Sequence, residues 1–197
     1  MNSPLEFIIQ PKNNRYNNTK SVEGSELVLN TSMQDHNFVS REAIVKAVPI
    51  GYDTDIKPGD ELIVHHNIFR RFYDVRGEEK NSKSFFKEET YFCGQDQIFL
   101  RKKDNEWIAM EGFCFVQPIV NDAEINFSAD HEAPLKGIVK YVDESNTVDK
   151  EDLVGFTPDS EYEFRIDGKK LYRVTLKSIA IKYEREGNEV EYNPSGV

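Results

Sequence analysis

The chain has 197 residues, of which 25 are Lys or Arg and 35 are Asp or Glu, so its formal net charge is −10. This length accommodates one or two small domains that each have a core of their own. The acidic balance repels a phosphate backbone, and no apolar run approaches the roughly 18 residues that a membrane-spanning helix needs. We therefore expect neither nucleic acid nor a membrane among its partners.

A short apolar triplet near the N-terminus stands alone in a polar segment that contains glycine. Leu27, Val28 and Leu29 would each gain roughly 1.5–3 kcal/mol from burial, but the polar residues around them offer nothing local to pack against. Taken by itself, such a triplet is more often a short core strand. In the alternative interpretation, residues 13–37 form a mobile loop in which Gly24 gives backbone freedom and the triplet contacts a partner protein.

The rest of the chain predicts an all-β fold, a barrel or a sandwich. Runs rich in Val, Ile, Phe and Tyr alternate with turn sequences such as Lys57-Pro58-Gly59-Asp60, and no long window has apolar residues at helical spacing. The predicted strands cover residues 43–48, 61–65, 97–102, 107–110, 113–119, 137–142, 171–176 and 178–183.

An internal repeat organises these strands into two halves. Ile44-Val45-Lys46 recurs as Ile138-Val139-Lys140, and we match residues 57–62 with 148–153 and residues 104–107 with 167–171. Strand 113–119 is expected to close the first half, and strand 178–183 to close the second in the same way.

The repeat predicts two domains of unequal complexity. Domain one covers residues 1–120 and contains the mobile loop at 13–37 and a charged, aromatic insertion at 72–94. Within that insertion, Phe85 and Phe86 are expected to hold the segment against its own barrel. Domain two covers residues 121–197 and is shorter, because it lacks the insertion and a clear counterpart of the loop; only Ile125 and Phe127 stand out there as apolar candidates.

The order of these features resembles the GroES family, the co-chaperonins that cap group I chaperonin rings. Residues 7–12 are similar to the opening strand of the family, and the triplet Leu27-Val28-Leu29 is similar to its mobile-loop anchor. Residues 41–48 and 57–64 then resemble the family's next strand and its Gly-Asp turn. The resemblance implies two GroES-like β-barrels in tandem.

The resemblance also implies a function. The chain would be a co-chaperonin that assists ATP-dependent protein folding, with Leu27, Val28 and Leu29 docking on the apical domains of a GroEL-like group I chaperonin and Gly24 providing loop flexibility. Several chains would form a homo-oligomeric ring over encapsulated folding substrates. The enlarged architecture is compatible with a phage-encoded lid that acts in the host cytoplasm.

Two other classes of function remain as alternatives to a co-chaperonin. One is a viral structural or adhesive β protein that keeps the GroES-like barrel without binding a chaperonin. The other is an enzyme with a GroES-like module, such as a medium-chain alcohol dehydrogenase, but the chain has neither a Gly-His-Glu zinc motif nor a GxGxxG stretch after a strand. We therefore expect no enzyme activity and no cofactor.

The cysteines and histidines do not form a recognisable reactive or metal-binding pattern. Cys93 and Cys114 have no CxxC spacing and no adjacent His, and no signal segment precedes them, so we expect buried, reduced thiols in a cytoplasmic protein. His65 and His66 are consecutive at a predicted strand end, where side chains alternate between faces, so we expect no metal site.

Overall fold

A computed structural model describes residues 3–17, 19–22, 25–28, 35, 38–121, 132–145 and 147–194, with the backbone alone at 19–22 and 25–28. The chain divides into two compact units, Met1–Glu106 and Trp107–Val197. Within the described residues the regular structure consists of strands and three short 3₁₀ turns, at His66–Ile68, Gln95–Gln97 and Leu176–Ser178. No helix among these residues has the length and apolar character required to cross a bilayer.

The first unit contains ten strands, and an eleventh begins at its end. They are β1 (Phe7–Pro11), β2 (Thr19–Val22), β3 (Ser25–Val28), β4 (Glu42–Ala47), β5 (Glu61–Val64), β6 (Arg71–Tyr73), β7 (Glu79–Asn81), β8 (Phe85–Lys87), β9 (Thr90–Cys93), β10 (Ile98–Lys103) and β11 (Glu106–Ala109). The second unit continues with β12 (Phe113–Val120), β13 (Glu132–Tyr141), β14 (Leu153–Phe156), β15 (Tyr162–Ile166), β16 (Lys169–Thr175) and β17 (Ile179–Tyr183).

The two units repeat one strand order. Six strands of the first unit are neighbours in the order β10-β5-β4-β1-β9-β8, and the sheet of the second unit has the order β17-β14-β13-β12-β16-β15. Each strand of one series therefore has a counterpart in the other, with β1 equivalent to β12, β4 to β13, β5 to β14, β8 to β15, β9 to β16 and β10 to β17.

The equivalence extends to the register of individual residues. In the first unit the facing pairs are Ile9 with Val45, Gln10 with Ile44 and Pro11 with Ala43; in the second they are Val116 with Val139, Gln117 with Ile138 and Pro118 with Gly137. A register shift interrupts both ladders one residue before these pairs, between Ile8 and Ile9 and between Phe115 and Val116. The predicted internal repeat of Ile44-Val45-Lys46 and Ile138-Val139-Lys140 is thus confirmed as a structural repeat.

The turn that joins β4 to β5 in the first unit has a counterpart in the second unit, between β13 and β14. The carboxylate of Asp60 accepts a hydrogen bond from the backbone N–H of Lys57 at 2.8 Å, and Asp152 accepts one from Asp149 at 2.8 Å. A short polar side chain that bonds its own backbone in this way fixes a tight turn. The sequence match of 57–62 with 148–153 is therefore wrong by one residue, because it aligned Asp60 with Glu151.

Three further sequence predictions need correction. Strand β12 does not close the first half; it pairs with β13 and β16, in the position that β1 occupies in the first unit. The match of 104–107 with 167–171 is wrong, because the β15–β16 hairpin is equivalent to β8–β9. The segment 72–94 is not wholly an insertion, since β9 pairs with β1; only the β6–β7 hairpin lacks a counterpart among the described strands of the second unit.

The described sheets are antiparallel and open, because the strands at the two ends of each order do not pair with each other. The predicted all-β class is confirmed, whereas the predicted tandem of closed barrels is not. Each unit has its own apolar interior. Phe7, Ile9, Leu62 and Leu100 are fully buried in the first unit, and the second is built around a cluster of Cys114, Val116, Val139, Val154, Phe156 and Val174.

Candidate functional site

The two ends of the connection between β1 and β4 meet at one point. Tyr16 and Val39 form an antiparallel bridge, and the N–H of Asn17 donates to the carbonyl of Phe38 at 2.7 Å. These contacts bring the two ends of segment 18–37 together. The segment, which we call the arm, is therefore closed at its base.

The backbone of the arm includes a β-hairpin. Strands β2 and β3 pair antiparallel with each other, with Lys20 opposite Leu27 and Thr19 opposite Val28, and they form a two-stranded sheet of their own. The arm is thus not an addition to the main sheet of the first unit.

The predicted contact residues fall in this hairpin and just beyond it. Leu27 and Val28 are the last residues of β3. Leu29 and Gly24 lie outside the described residues, and the predicted roles of all four positions remain predictions.

An arginine at the base of the arm joins it to the β6–β7 hairpin. The guanidinium of Arg15 donates to the side-chain oxygen of Asn81 at 2.7 Å and to the carbonyl of Arg70 at 3.2 Å, and its Nε donates to the carbonyl of Phe69. Because a guanidinium presents its donors in a rigid fork, three acceptors fix its position closely. Arg15 therefore ties the start of the arm to both ends of the β6–β7 hairpin.

Two aromatic rings enclose the same guanidinium. Its central carbon lies 5.4 Å from the ring centroid of Tyr91 and 5.7 Å from that of Phe85, and the two rings meet edge to face. Burial lowers the pKa of Arg15, while the neighbouring Tyr91 acts in the opposite direction. Phe85 thus packs against its own unit, as the sequence predicted, whereas half of the Phe86 side chain is exposed.

A second contact joins the arm base to the same hairpin. The hydroxyl of Tyr16 accepts a hydrogen bond from the backbone N–H of Arg71 at 2.7 Å, and the guanidinium of Arg71 lies 5.1 Å from the centroid of the Tyr16 ring. Arg71 also pairs with Glu79 across the hairpin at 2.7 Å. The β6–β7 hairpin therefore acts as a brace for the arm.

Sequence reasoning missed this brace. No role was predicted for Arg15 or Tyr16, because the contacts that form the brace join segments that are far apart in the sequence.

The two cysteines and the adjacent His65 and His66 are defined by burial and by ring stacking. Cys93 and Cys114 are free and buried, and burial raises the pKa of both thiols, that of Cys114 to about 12. The rings of His65 and His66 stack at a centroid distance of 4.4 Å instead of pointing to opposite faces, because His66 already belongs to a 3₁₀ turn. Among the described residues no group of three or more His, Cys, Asp or Glu could hold a metal ion.

Comparison of the chain with protein-family models, with curated proteins and with solved structures gives no match.

Proposed function

We propose that this chain is a co-chaperonin of the GroES type, which caps a group I chaperonin ring and assists ATP-dependent protein folding. The observation that carries the proposal is the closed, braced base of the arm. A segment whose ends meet at Tyr16 and Val39, and whose strands pair only with each other, can present Leu27, Val28 and Leu29 to a second protein while the first unit stays intact.

The proposed mechanism follows from the weakness of a single arm. An apolar triplet that docks in a groove gains hydrophobic contact but loses the conformational freedom of the segment that carries it, so one arm binds weakly. Several arms on one homo-oligomeric ring bind together, because each later arm docks at a high effective concentration. The lid is then tight and still releasable, which encapsulation of a folding substrate requires.

The two units have different parts in this proposal. Each would be a GroES-like barrel module, and their repeated strand order supports a common architecture. In the part of the chain that the structure describes, a braced arm occurs in the first unit, and its sequence contains the apolar triplet. The equivalent connection of the second unit, residues 122–131 between β12 and β13, contains Ile125 and Phe127 and lies outside the described residues. We therefore propose one working arm per chain.

The test is capture of the chain by a group I chaperonin in the presence of nucleotide. We expect Leu27→Asp combined with Leu29→Asp to abolish capture in a pull-down and to leave the oligomer size unchanged. The matched control is Ile125→Asp combined with Phe127→Asp, which places the same charges in the equivalent connection of the second unit and should leave capture intact.

Two results would contradict the proposal. Capture that survives the first pair of substitutions would show that the triplet is not the contact. Absence of capture by the unsubstituted chain, together with no protection of segment 13–37 from proteolysis when chaperonin and nucleotide are added, would favour the alternative of a viral structural or adhesive β protein.

A further inference from the structure

A cleft of about 360 Å³ opens in the first unit beside the β6–β7 hairpin. This volume lies in the range of sites that bind small molecules. The side chains that matter for its chemistry come from the 3₁₀ turns at His66–Ile68 and Gln95–Gln97, from β6, and from the segment after β7; they are Asn67, Arg70, Phe72, Lys83, Ser84 and Gln97.

The cleft is cationic in a chain whose net charge is −10. None of the described residues that line it is acidic, and it contains both Arg70 and Lys83. In the neighbouring β6–β7 hairpin two cations have carboxylate partners, since Arg71 pairs with Glu79 at 2.7 Å and Lys80 pairs with Glu78 at 2.7 Å. Within the described part of the chain, no carboxylate is paired with Arg70 or with Lys83.

Arg70 is held in place by its backbone and not by its guanidinium. Its carbonyl accepts hydrogen bonds from Arg15 at 3.2 Å and from the N–H of Ser82 at 3.2 Å. Its side-chain Nε, in contrast, is buried and has no hydrogen-bond partner among the described residues. A buried donor without an acceptor is costly, and a ligand oxygen would remove that cost.

Neutral donors and one apolar wall complete the cleft. The side-chain oxygen of Gln97 accepts a hydrogen bond from the N–H of Gly94 at 3.0 Å, which leaves the amide NH₂ as a donor. Asn67 contributes a second amide and Ser84 a hydroxyl. The ring of Phe72 is 39% exposed and supplies an apolar surface for the body of a ligand.

We propose that this cleft binds a small-molecule oxyanion, a carboxylate or a phosphate, with Arg70 and Lys83 as its charged partners. A guanidinium suits either group, because its fork matches two oxygens of a carboxylate or a phosphate. The site belongs to the first unit, since the described strands of the second unit include no counterpart of the β6–β7 hairpin. It is independent of the co-chaperonin proposal, because it does not involve the triplet of the arm.

The test is a titration of the full chain with inorganic phosphate and, separately, with acetate, at constant ionic strength set by chloride. Binding is followed by the amide resonances of residues 67–97 in nitrogen-15 NMR spectra. With at least one of the two probes, we expect saturable changes in amide chemical shift, confined to the residues that line the cleft. Arg70→Gln should weaken that binding about tenfold or more, because it removes a charged hydrogen bond. Lys57→Gln, an exposed lysine in a turn of the same unit, is the matched control and should leave binding unchanged.

The outcomes separate the possibilities. Saturation with phosphate alone or with acetate alone supports the proposal and identifies the ligand group. Arg70→Gln is expected to retain the melting temperature, since the Nε that it removes has no hydrogen bond to lose. Absence of saturation with both probes, or equal weakening in Arg70→Gln and Lys57→Gln, would overturn the proposal.

Discussion

The first and second units place different chemistry at one set of equivalent positions. In the first unit, the Lys12 ammonium lies 2.9 Å from Glu61 and 3.4 Å from Glu42, and the ammonium of Lys102 lies 3.3 Å from the same Glu61 carboxylate. These four side chains form a network of charges across β5, β4 and β10 and the end of β1. Such a network orders charged side chains at a partly exposed surface and contributes modestly to stability.

In the second unit the same positions are mostly apolar. The repeated register makes Ile119 equivalent to Lys12, Leu153 to Glu61, Tyr183 to Lys102, and Lys136 to Glu42. Ile119 and Leu153 belong to an apolar cluster, and the Lys136 ammonium lies 4.5 Å from the centroid of the Tyr183 ring. Strand order and register are therefore kept while charge is exchanged for hydrophobic contact.

Strands β10 and β17, which are equivalent in the two units, differ in burial as well. Leu100 of β10 is fully buried, whereas its counterpart in β17, Ile181, is 50% exposed. A matched pair of truncations tests this difference most strongly. We expect Leu100→Ala to reduce the free energy of unfolding by about 2–5 kcal/mol, and Ile181→Ala to cost under about 1 kcal/mol. Denaturant unfolding of the two variants measures both values; similar losses would contradict the difference between the units.

A glycine in the second unit replaces an alanine in the first. Gly137 and its counterpart Ala43 both face a proline of the adjacent strand, but a Cβ at Gly137 would lie 2.4 Å from the carbonyl oxygen of Gln117. We expect Gly137→Ala to destabilise the second unit by about 1–3 kcal/mol, because the strands must separate to admit the methyl group. Thermal unfolding measures the loss. An unchanged melting temperature would show that the two strand pairs are equally spaced.

The brace holds the base of the arm in the first unit, and the equivalent connection of the second unit lies outside the described residues. We expect Arg15→Lys to keep the charge but to lose the forked hydrogen bonds to Phe69, Arg70 and Asn81, at a cost of about 1–2 kcal/mol. The amide of Asn17, at the arm base, should exchange hydrogen faster as a result. Hydrogen exchange with mass spectrometry checks this. Unchanged exchange at the arm base would mean that the Tyr16–Val39 bridge closes the arm without the brace.

The charge network gives the smallest effect and a defined pH dependence. The hydrogen bond from Lys12 lowers the pKa of Glu61, with a further hydrogen bond from Lys102, and burial opposes them. Folding therefore favours the ionised carboxylate, so its stabilisation is present above the unfolded pKa of about 4.3 and is lost as the pH falls through the folded pKa. We expect Glu61→Gln to cost about 0.5–1 kcal/mol at pH 7 and less on acidification.

Melting temperatures at pH 7 and pH 3 provide the measurement for Glu61→Gln. The exposed Glu88→Gln is the control and should show little change at either pH. A loss for Glu61→Gln that is as large at pH 3 as at pH 7 would mean that packing, and not charge, explains the role of Glu61.

The strands were predictable because local patterns determine them. Short runs rich in apolar residues marked β4, β5 and β10 to within one or two residues, and the shared Ile-Val-Lys sequence of β4 and β13 revealed the repeat. Pairing was less predictable, because it depends on register between distant segments. β12 was therefore assigned to the wrong half, and the short strands β8 and β9 were concealed among charged residues.

The site was only partly predictable, because some of its contacts join residues that are far apart in the sequence. The apolar triplet is visible in the sequence because it is local, and Leu27 and Val28 were singled out on that basis. The brace that anchors the arm joins Arg15 to Asn81, which are 66 positions apart, and no local pattern indicates such a contact.

The central claim is that the braced arm of the first unit presents an apolar contact to a chaperonin ring, several copies at a time. Native mass spectrometry of the chain, alone and with a group I chaperonin and ATP, tests it most directly. The account predicts a homo-oligomer of the chain alone and a mass that corresponds to one such oligomer bound to a chaperonin ring when ATP is present. A monomer that forms no complex with the chaperonin would contradict it.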